Sequence, residues 1–501
     1  MAFSERIAAP AFRRLVTDQA GAAAHVANGA LVGFSGFTGA GYPKAVPAAI
    51  AARAQAEHQA GRPFQIGVLT GASTAPELDG VLAEAQAASF RAPYQSDPTM
   101  RRAINAGTTR YKDMHLSALG PAVRGGVFGP LDVAVVEVTA IDPDGRLVPS
   151  SSVGNNQTWL DTAEAVILEV NEWMSPSLTG MHDVYRPGRA PIPINAPGDR
   201  IGTPYLDVDP AKVVAVVVAS GPDRNSAFKP VDATSQAIAA HLVDFLTAEQ
   251  RAGRLPSPLP PLQSGVGNIA NAVLAALGAS GLRDLTSYTE VIQDGMLGLI
   301  ERGVMTTASA TAFSLSPEAA ELMNQKADFF RRHIVLRPQE VSNSPEVISR
   351  LGVISCNGMV EADIYGNVNS THVSGSRMIN GIGGSGDFTR NARISTFVTP
   401  STAKGGAVSC IVPMVSHVDH TEHDVDVVVT EQGLADLRRL APRQRSRAII
   451  AHCAHPDFRD ALTDYVDRAE AASDHPGQTP HLLREALSWH VRFQETGSML
   501  A

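Results

Sequence analysis

A few stretches of the chain carry residue types whose spacing could support chemistry. In SYTEVIQDG, Glu290 closes an apolar run, and Asp294 and Gly295 follow before a helical segment. A carboxylate at a strand end is where α/β enzymes keep reactive groups, and such a group can attack a carbonyl to give a covalent intermediate. Spacing alone equally describes a solvated or ion-paired glutamate. In VSHVDHTEHDVDVV, His417, His420 and His423 stand among Asp419, Glu422 and Asp424. Six potential metal ligands so close together suggest a metal site. However, HExxH is absent, and histidines spaced by three converge only on a continuous helix. The VDVVV run argues for strand–loop–strand, which leaves a structural network of His–Asp hydrogen bonds and no bound metal as the expectation.

Three glycine clusters could bring backbone N–H groups to an anion: residues 33–43, 265–273 and 381–388. The second runs directly into a helix, whose N-terminus carries roughly half a positive charge, and so suits a phosphate best. None fits GxxxxGK[ST], or GxGxxG with its distal acid, and a tight strand–helix turn explains each cluster as well. No GxSxG elbow is present. Cys356, Cys410 and Cys453 form no CxxC pair and have no local setting for a nucleophile.

These groups must be positioned by regular elements. Apolar runs at 30–34, 65–69, 132–138, 165–170 and 213–219 read as strands buried on both faces, with helical composition between them at 45–60 and 100–106. Residues 233–251 form an amphipathic helix, with Ile238, Leu242, Phe245 and Leu246 at helical spacing. LPSPLPPLQSG, with four prolines, reads as an extended connector. Alternation then resumes, with strands at 285–292, 305–312, 353–355, 394–398, 408–414 and 425–430. Helices are expected at 268–277, 317–332 and 445–453. The pattern predicts an α/β protein of two domains around a cleft: 1–225, a helix and Pro-rich connector at 226–264, and 265–501.

The 501 residues are 44% hydrophobic and only 18% charged, against a typical ~25%, so much of the chain is interior and wholesale disorder is excluded. Lys and Arg number 41 against 50 Asp and Glu, a net charge of −9 with no basic stripe, which argues against nucleic-acid or membrane-surface binding. The N-terminus carries Glu5, Arg6, Arg13 and Arg14 where a secretory signal needs an apolar core, and the longest strongly apolar stretch, VVAVVVA, is too short to span a bilayer. A soluble, cytoplasmic protein is expected.

Taken together, SYTEVIQDG, GVGNIANAV, SNSPEVISRLG, NGIGGSGDF and VPMVSHVDHTEHDVDVVVTEQG closely resemble the class I coenzyme A transferases of the acetyl-CoA hydrolase/transferase family. The likeness is nearest to the succinyl-CoA:acetate CoA-transferases. It covers essentially the whole chain from GFTGAGYP onward and is strongest over 263–434.

The resemblance implies two similar α/β halves around an interdomain active site, usually in a homodimer, with CoA as substrate and no permanent cofactor. It places the nucleophile on Glu290 and oxyanion donors on Asn343 and Gly384. The CoA-binding loop falls on Gly265, Val266, Gly267, Asn268 and Ile269, with Asn380 and Lys404 also near CoA. Arg224 and Glu431 match positions near the acid pocket, where Arg224 either holds a substrate carboxylate or pairs with Glu431. The implied reaction exchanges CoA between an acyl-CoA and a short-chain acid, succinyl-CoA and acetate being favoured. The alternatives are an acyl-CoA hydrolase using the same glutamate, a non-enzymatic CoA or nucleotide sensor, and a metal hydrolase built on the three histidines.

Overall fold

The computed structural model describes residues 5–73, 75–225, 231–472 and 477–500; residues 226–230, where the expected connector starts, lie outside the described residues. Contacts divide the chain into two compact units. One joins Met1–Ala227 to Thr286–Leu351, and the other joins Phe228–Leu285 to Gly352–Ala501.

The first unit is built on a mainly parallel sheet. Its strand order is Val213–Ala219, Ala165–Asn171, Val133–Ile141, Leu31–Phe34, Ile66–Leu69, Ala88–Ala92 and Arg110–Tyr111, with Leu147–Pro149 antiparallel on Val133–Ile141. Central strands are apolar at nearly every position because helices such as Val46–Gln59 supply a second buried face. Val213–Ala219 matches its expected bounds but lies at the sheet edge, which leaves Val218 37% exposed.

The returning segment adds the parallel strands Met305–Ala310 and Ile334–Leu336, and a second parallel pair, Val291–Gln293 with Ala312–Ser314. This division differs from linear halves at 225 and 265, under which Glu290 and Asn343 belong with residues 265–501. Backbone bonds explain the difference. Val153 N–H donates to Thr311 O at 2.9 Å, Phe313 N–H to Ser151 O at 3.1 Å, and Gln339 N–H to Gly154 O at 2.8 Å. The buried Arg337 guanidinium also bonds Asp183.

The second unit has the parallel strands Leu262–Ser264, Ile354–Gly358, Ile394–Val398 and Val427–Thr430, with Gly433–Asp436 antiparallel at the edge. The expected extended connector therefore ends as a buried strand. Its prolines stop at Pro261, so residues 262–264 keep their N–H groups for the ladder. Helices Ala233–Arg251 and Asn268–Ala279 pack on each other, and Pro442–Cys453 with Pro456–Ala471 help close the apolar core. Among the described residues no helix is long and apolar enough to cross a membrane.

Candidate active site

Glu290 does not end one strand but sits at a bend between two. Leu285–Tyr288 stops, Thr289 and Glu290 turn, and Val291–Gln293 joins a different sheet. The main chain is held on both sides of the bend. Thr289 N–H donates to Ser309 O at 2.9 Å, while the Glu290 carbonyl accepts from Thr311 N–H at 2.9 Å and Ala312 N–H at 3.3 Å. The half-buried carboxylate thus projects from a fixed backbone.

Asn343 meets it. This residue caps the short helix Gln339–Ser342 and is fully buried. Its side-chain oxygen accepts from Ser342 Oγ at 2.9 Å, which turns the amide so that Nδ2 donates to Glu290 Oε1 at 3.3 Å. The bond is long and its donor neutral. It can follow charge onto a neighbouring carbonyl oxygen without trapping the carboxylate as a cation would. The helix is fixed in turn by Gln339, whose amide donates to Leu116 O at 2.8 Å and whose oxygen accepts from Asn155 at 3.2 Å.

Beside the bend lies an apolar wall of Phe37, Ala72, Leu116, Val291 and Ala312, with Tyr94 packed on it. Burial pushes the Tyr94 phenol up to about 12; a bond with Ser96 opposes this, and the negative charge of Glu290 adds to it. Sequence reasoning missed Tyr94 because nothing near it in the chain marks proximity to Glu290.

The first glycine cluster is closely packed. A Cβ on Gly33 would meet the Trp159 ring at 2.9 Å, one on Gly39 the Arg224 carbonyl oxygen at 2.1 Å, and one on Gly41 Ser152 Oγ at 2.2 Å. Arg224 itself is mostly exposed and pairs with Glu77 at 2.9 Å. Behind these loops Lys44 is buried between Glu137 and Asp223, 2.8 Å from each. Burial pushes Glu137 up to about 7, with Lys44 opposing and Asp223 adding to the shift.

In the second unit, Gly265 N–H donates to Cys356 O at 2.9 Å, Val266 is exposed, and Gly267 at φ +130° caps Asn268–Ala279 with open space around its Cα. Ile269 lies in the first turn of that helix. Gly384 is buried at φ −91°, just before the short helix Ser385–Thr389, and the left-handed residue of that turn is its neighbour Gly383 at +62°. Asn380 donates to Ser370 O at 3.1 Å and Gly381 O at 2.9 Å. Lys404, Gly405 and Gly406 are all left-handed, and the Lys404 ammonium lies 4.4 Å over the Phe493 ring. Glu431 accepts from Ser401 Oγ and from Ser401 N–H at 2.8 Å. Burial raises its carboxyl, but these bonds outweigh that and hold it below the usual range.

The three histidines diverge. His417 stacks on His372 with centroids 3.9 Å apart, His420 turns inward to Ser385, and His423 is exposed. Among the described residues no group of three or more potential ligands converges on a metal position. All three cysteines are buried, and burial pushes each thiol up to about 12, far from a reactive thiolate.

Family models for the acetyl-CoA hydrolase/transferase N-terminal and C-terminal domains match residues 4–218 and 320–466. The chain belongs to the acetyl-CoA hydrolase/transferase family. It is 49% identical over 482 residues to a succinyl-CoA:acetate CoA-transferase of Clostridium kluyveri, covering 95% of this chain and 89% of that one. To an acetyl-CoA hydrolase of Schizosaccharomyces pombe it is 44% identical over 503 residues, 97% and 96% of the two chains. In fold it is similar to a 4-hydroxybutyrate CoA-transferase from Porphyromonas gingivalis, with a TM-score of 0.62 and 24% identity over 91% of this chain and 98% of that one. This is a family of enzymes of α/β fold. Within one unit of this family member, the structure brings together Glu290 and Asn343, the pair able to attack a carbonyl and to stabilise the oxygen it leaves charged.

Proposed function

We propose that this family member is a CoA-transferase exchanging CoA between an acyl-CoA and a short-chain carboxylate, with succinyl-CoA and acetate the favoured pair. The observation that carries the reading is the Asn343 amide donating to the Glu290 carboxylate at 3.3 Å, beside an apolar wall. The 49% identity to a relative named for that substrate pair supports the choice of acids.

A Glu290 oxygen attacks the thioester carbon, giving a mixed anhydride and CoA thiolate. The thiolate attacks the glutamyl carbonyl, giving a glutamyl-CoA thioester and releasing the first acid. The incoming carboxylate attacks that thioester, and the same two steps in reverse return a new acyl-CoA and free Glu290. One thioester replaces another, so no ATP is needed. Each attack charges a carbonyl oxygen, and Asn343 is placed to donate to one on Glu290.

On the resemblance, Gly384 is a further oxyanion donor, and Gly265, Val266, Gly267, Asn268 and Ile269, with Asn380 and Lys404, bind CoA. The positive-φ backbone with open space at Gly267, Gly405 and Gly406 supports that role, because it leaves room for a phosphate to approach the main chain. Arg224 and Glu431 are assigned to the acid pocket on the same footing. A homodimer in the cytoplasm, linking acetate metabolism to the tricarboxylic acid cycle, completes the reading, and three buried free thiols fit a reducing compartment.

The test is mass spectrometry after incubation with succinyl-CoA. The peptide containing Glu290 gains CoA less one water, and acetate discharges it. Glu290→Gln abolishes both adduct and exchange. An adduct on a cysteine, or exchange retained by Glu290→Gln, overturns the reading. A second reading, acyl-CoA hydrolase, is favoured by the 44% identity to a protein of that name. It uses the same thioester with water as acceptor, and free thiol released without added acid distinguishes it.

A further inference from the structure

We propose that His420 is a positioning residue: through Ser385 its imidazole fixes the turn that aims the Gly384 N–H, and its neighbour Asp419 fixes the hairpin carrying Asn380. The inference rests on the roles assigned above to Gly384 and Asn380, and it gives a task to the histidine-rich segment that holds no metal in that reading.

The Ser385 hydroxyl donates to Ile382 O at 2.8 Å, closing the turn across Gly383 and Gly384. It also lies 3.0 Å from His420 Nε2. A hydroxyl has one proton. With that proton on Ile382 O, the serine oxygen accepts from Nε2–H, which sets the imidazole tautomer. Gly383 and Gly384 have no side chains of their own to hold the turn, so the direction of the Gly384 N–H depends on this clamp.

The clamp is anchored. His420 is 4% exposed and packs on Phe397, with ring centroids 4.9 Å apart. Its backbone is bonded both ways to Val368, which donates to His420 O at 2.8 Å and accepts from His420 N–H at 3.1 Å. The preceding residue reaches the other loop. The Asp419 carboxylate accepts from Ser370 N–H at 2.6 Å and Thr371 Oγ at 2.9 Å, and pairs with His417 Nε2 at 3.3 Å. Ser370 O accepts from the Asn380 amide, and Thr371 O from Ile379 N–H at 2.8 Å. One short segment therefore braces two loops.

The test uses full-length protein with His420→Leu, His420→Gln, Ser385→Ala and the double variant Ser385→Ala/His420→Leu. A misdirected donor lowers kcat about 10- to 100-fold and leaves KM for the carboxylate within about 3-fold. His420→Gln, whose amide can reach near the Nε2 position, recovers most of kcat. Ser385→Ala matches His420→Leu, and the double variant falls no further, because both remove one clamp. Hydrogen–deuterium exchange of the 381–389 peptide, measured without substrate, quickens in His420→Leu and less in His420→Gln. The proposal is overturned by wild-type kcat and peptide exchange in His420→Leu, by His420→Gln no better than His420→Leu, or by losses that multiply. Absence of a glutamyl adduct in the wild type would defeat the transfer reading, while the peptide exchange still judges the clamp on its own.

Discussion

The glycines of the loop at 33–43 in the first unit differ from those of two loops in the second. In the first, Gly33, Gly39 and Gly41 have something standing against them, the Trp159 ring, the Arg224 carbonyl and Ser152, and Gly41 is left-handed as well at φ +65°. In the second, Gly267, Gly405 and Gly406 have open space where a side chain would go, and are glycine because their φ is +130°, +66° and +93°. Crowded glycines lock loops together, whereas open left-handed ones keep backbone accessible. The difference teaches a division of labour. The proposed nucleophile and its amide partner stand beside an apolar wall on a fixed backbone, and the proposed CoA contacts belong to loops with room for a guest.

The sharpest way to break this contrast is Asn343→Ala. If the wall supplies an oxyanion donor, kcat falls about 10²- to 10³-fold, or about 2.7–4 kcal/mol, and the adduct still maps to Glu290. A loss confined to KM would reduce Asn343 to substrate binding. Next, Gly39→Ala drives a methyl to 2.1 Å from the Arg224 carbonyl oxygen and destabilises by about 2–3 kcal/mol in denaturant unfolding.

A smaller, pH-graded effect is expected at Glu137. Its carboxyl is pushed up to about 7 when folded, above its unfolded value. The folded state therefore binds the proton more tightly between those values, and wild-type stability falls as pH rises through that window. Unfolding of Glu137→Gln and wild type from about pH 4 to about pH 8 should show the difference moving in favour of the variant. Gly405→Ala meets nothing within 4 Å, so only its left-handed backbone is strained, at about 1–2 kcal/mol. Lys404→Ala changes stability least, by about 0.5–1 kcal/mol for the lost ring contact, and raises KM for acyl-CoA in a salt-dependent way if the ammonium meets a phosphate.

Much of the fold was legible because parallel strands covered on both faces leave unbroken apolar runs. Residues 213–219 and 394–398 and the helix 233–251 have the bounds their sequences suggest. The bend at Glu290 was not legible. Both strands it joins are largely buried, and nothing in LTSYTEVI, residues 285–292, marks where the chain changes sheets. The run at 305–312 hides a similar change at Thr311. The return of Thr286–Leu351 to the first unit depends on backbone bonds to residues 151–154, which leave no periodic trace. Motif likeness points to Glu290 and Asn343, and geometry adds what likeness lacks: Ser342 orienting the amide, and Tyr94 beside the carboxylate. The histidine segment shows the reverse limit. Its composition suggests ligands, but only coordinates reveal that the rings diverge, His417 to His372, His420 to Ser385 and His423 to the exposed surface.

The two N–H donors on the Glu290 carbonyl have a consequence for turnover. In the proposed cycle this one side chain is tethered for a time to a molecule several times its size, which solvent and thermal motion will tug. With the peptide unit moored at two points, that pull is absorbed by rotation about the side-chain bonds alone. The carboxylate can then pivot from one partner to the next and return to the same starting place.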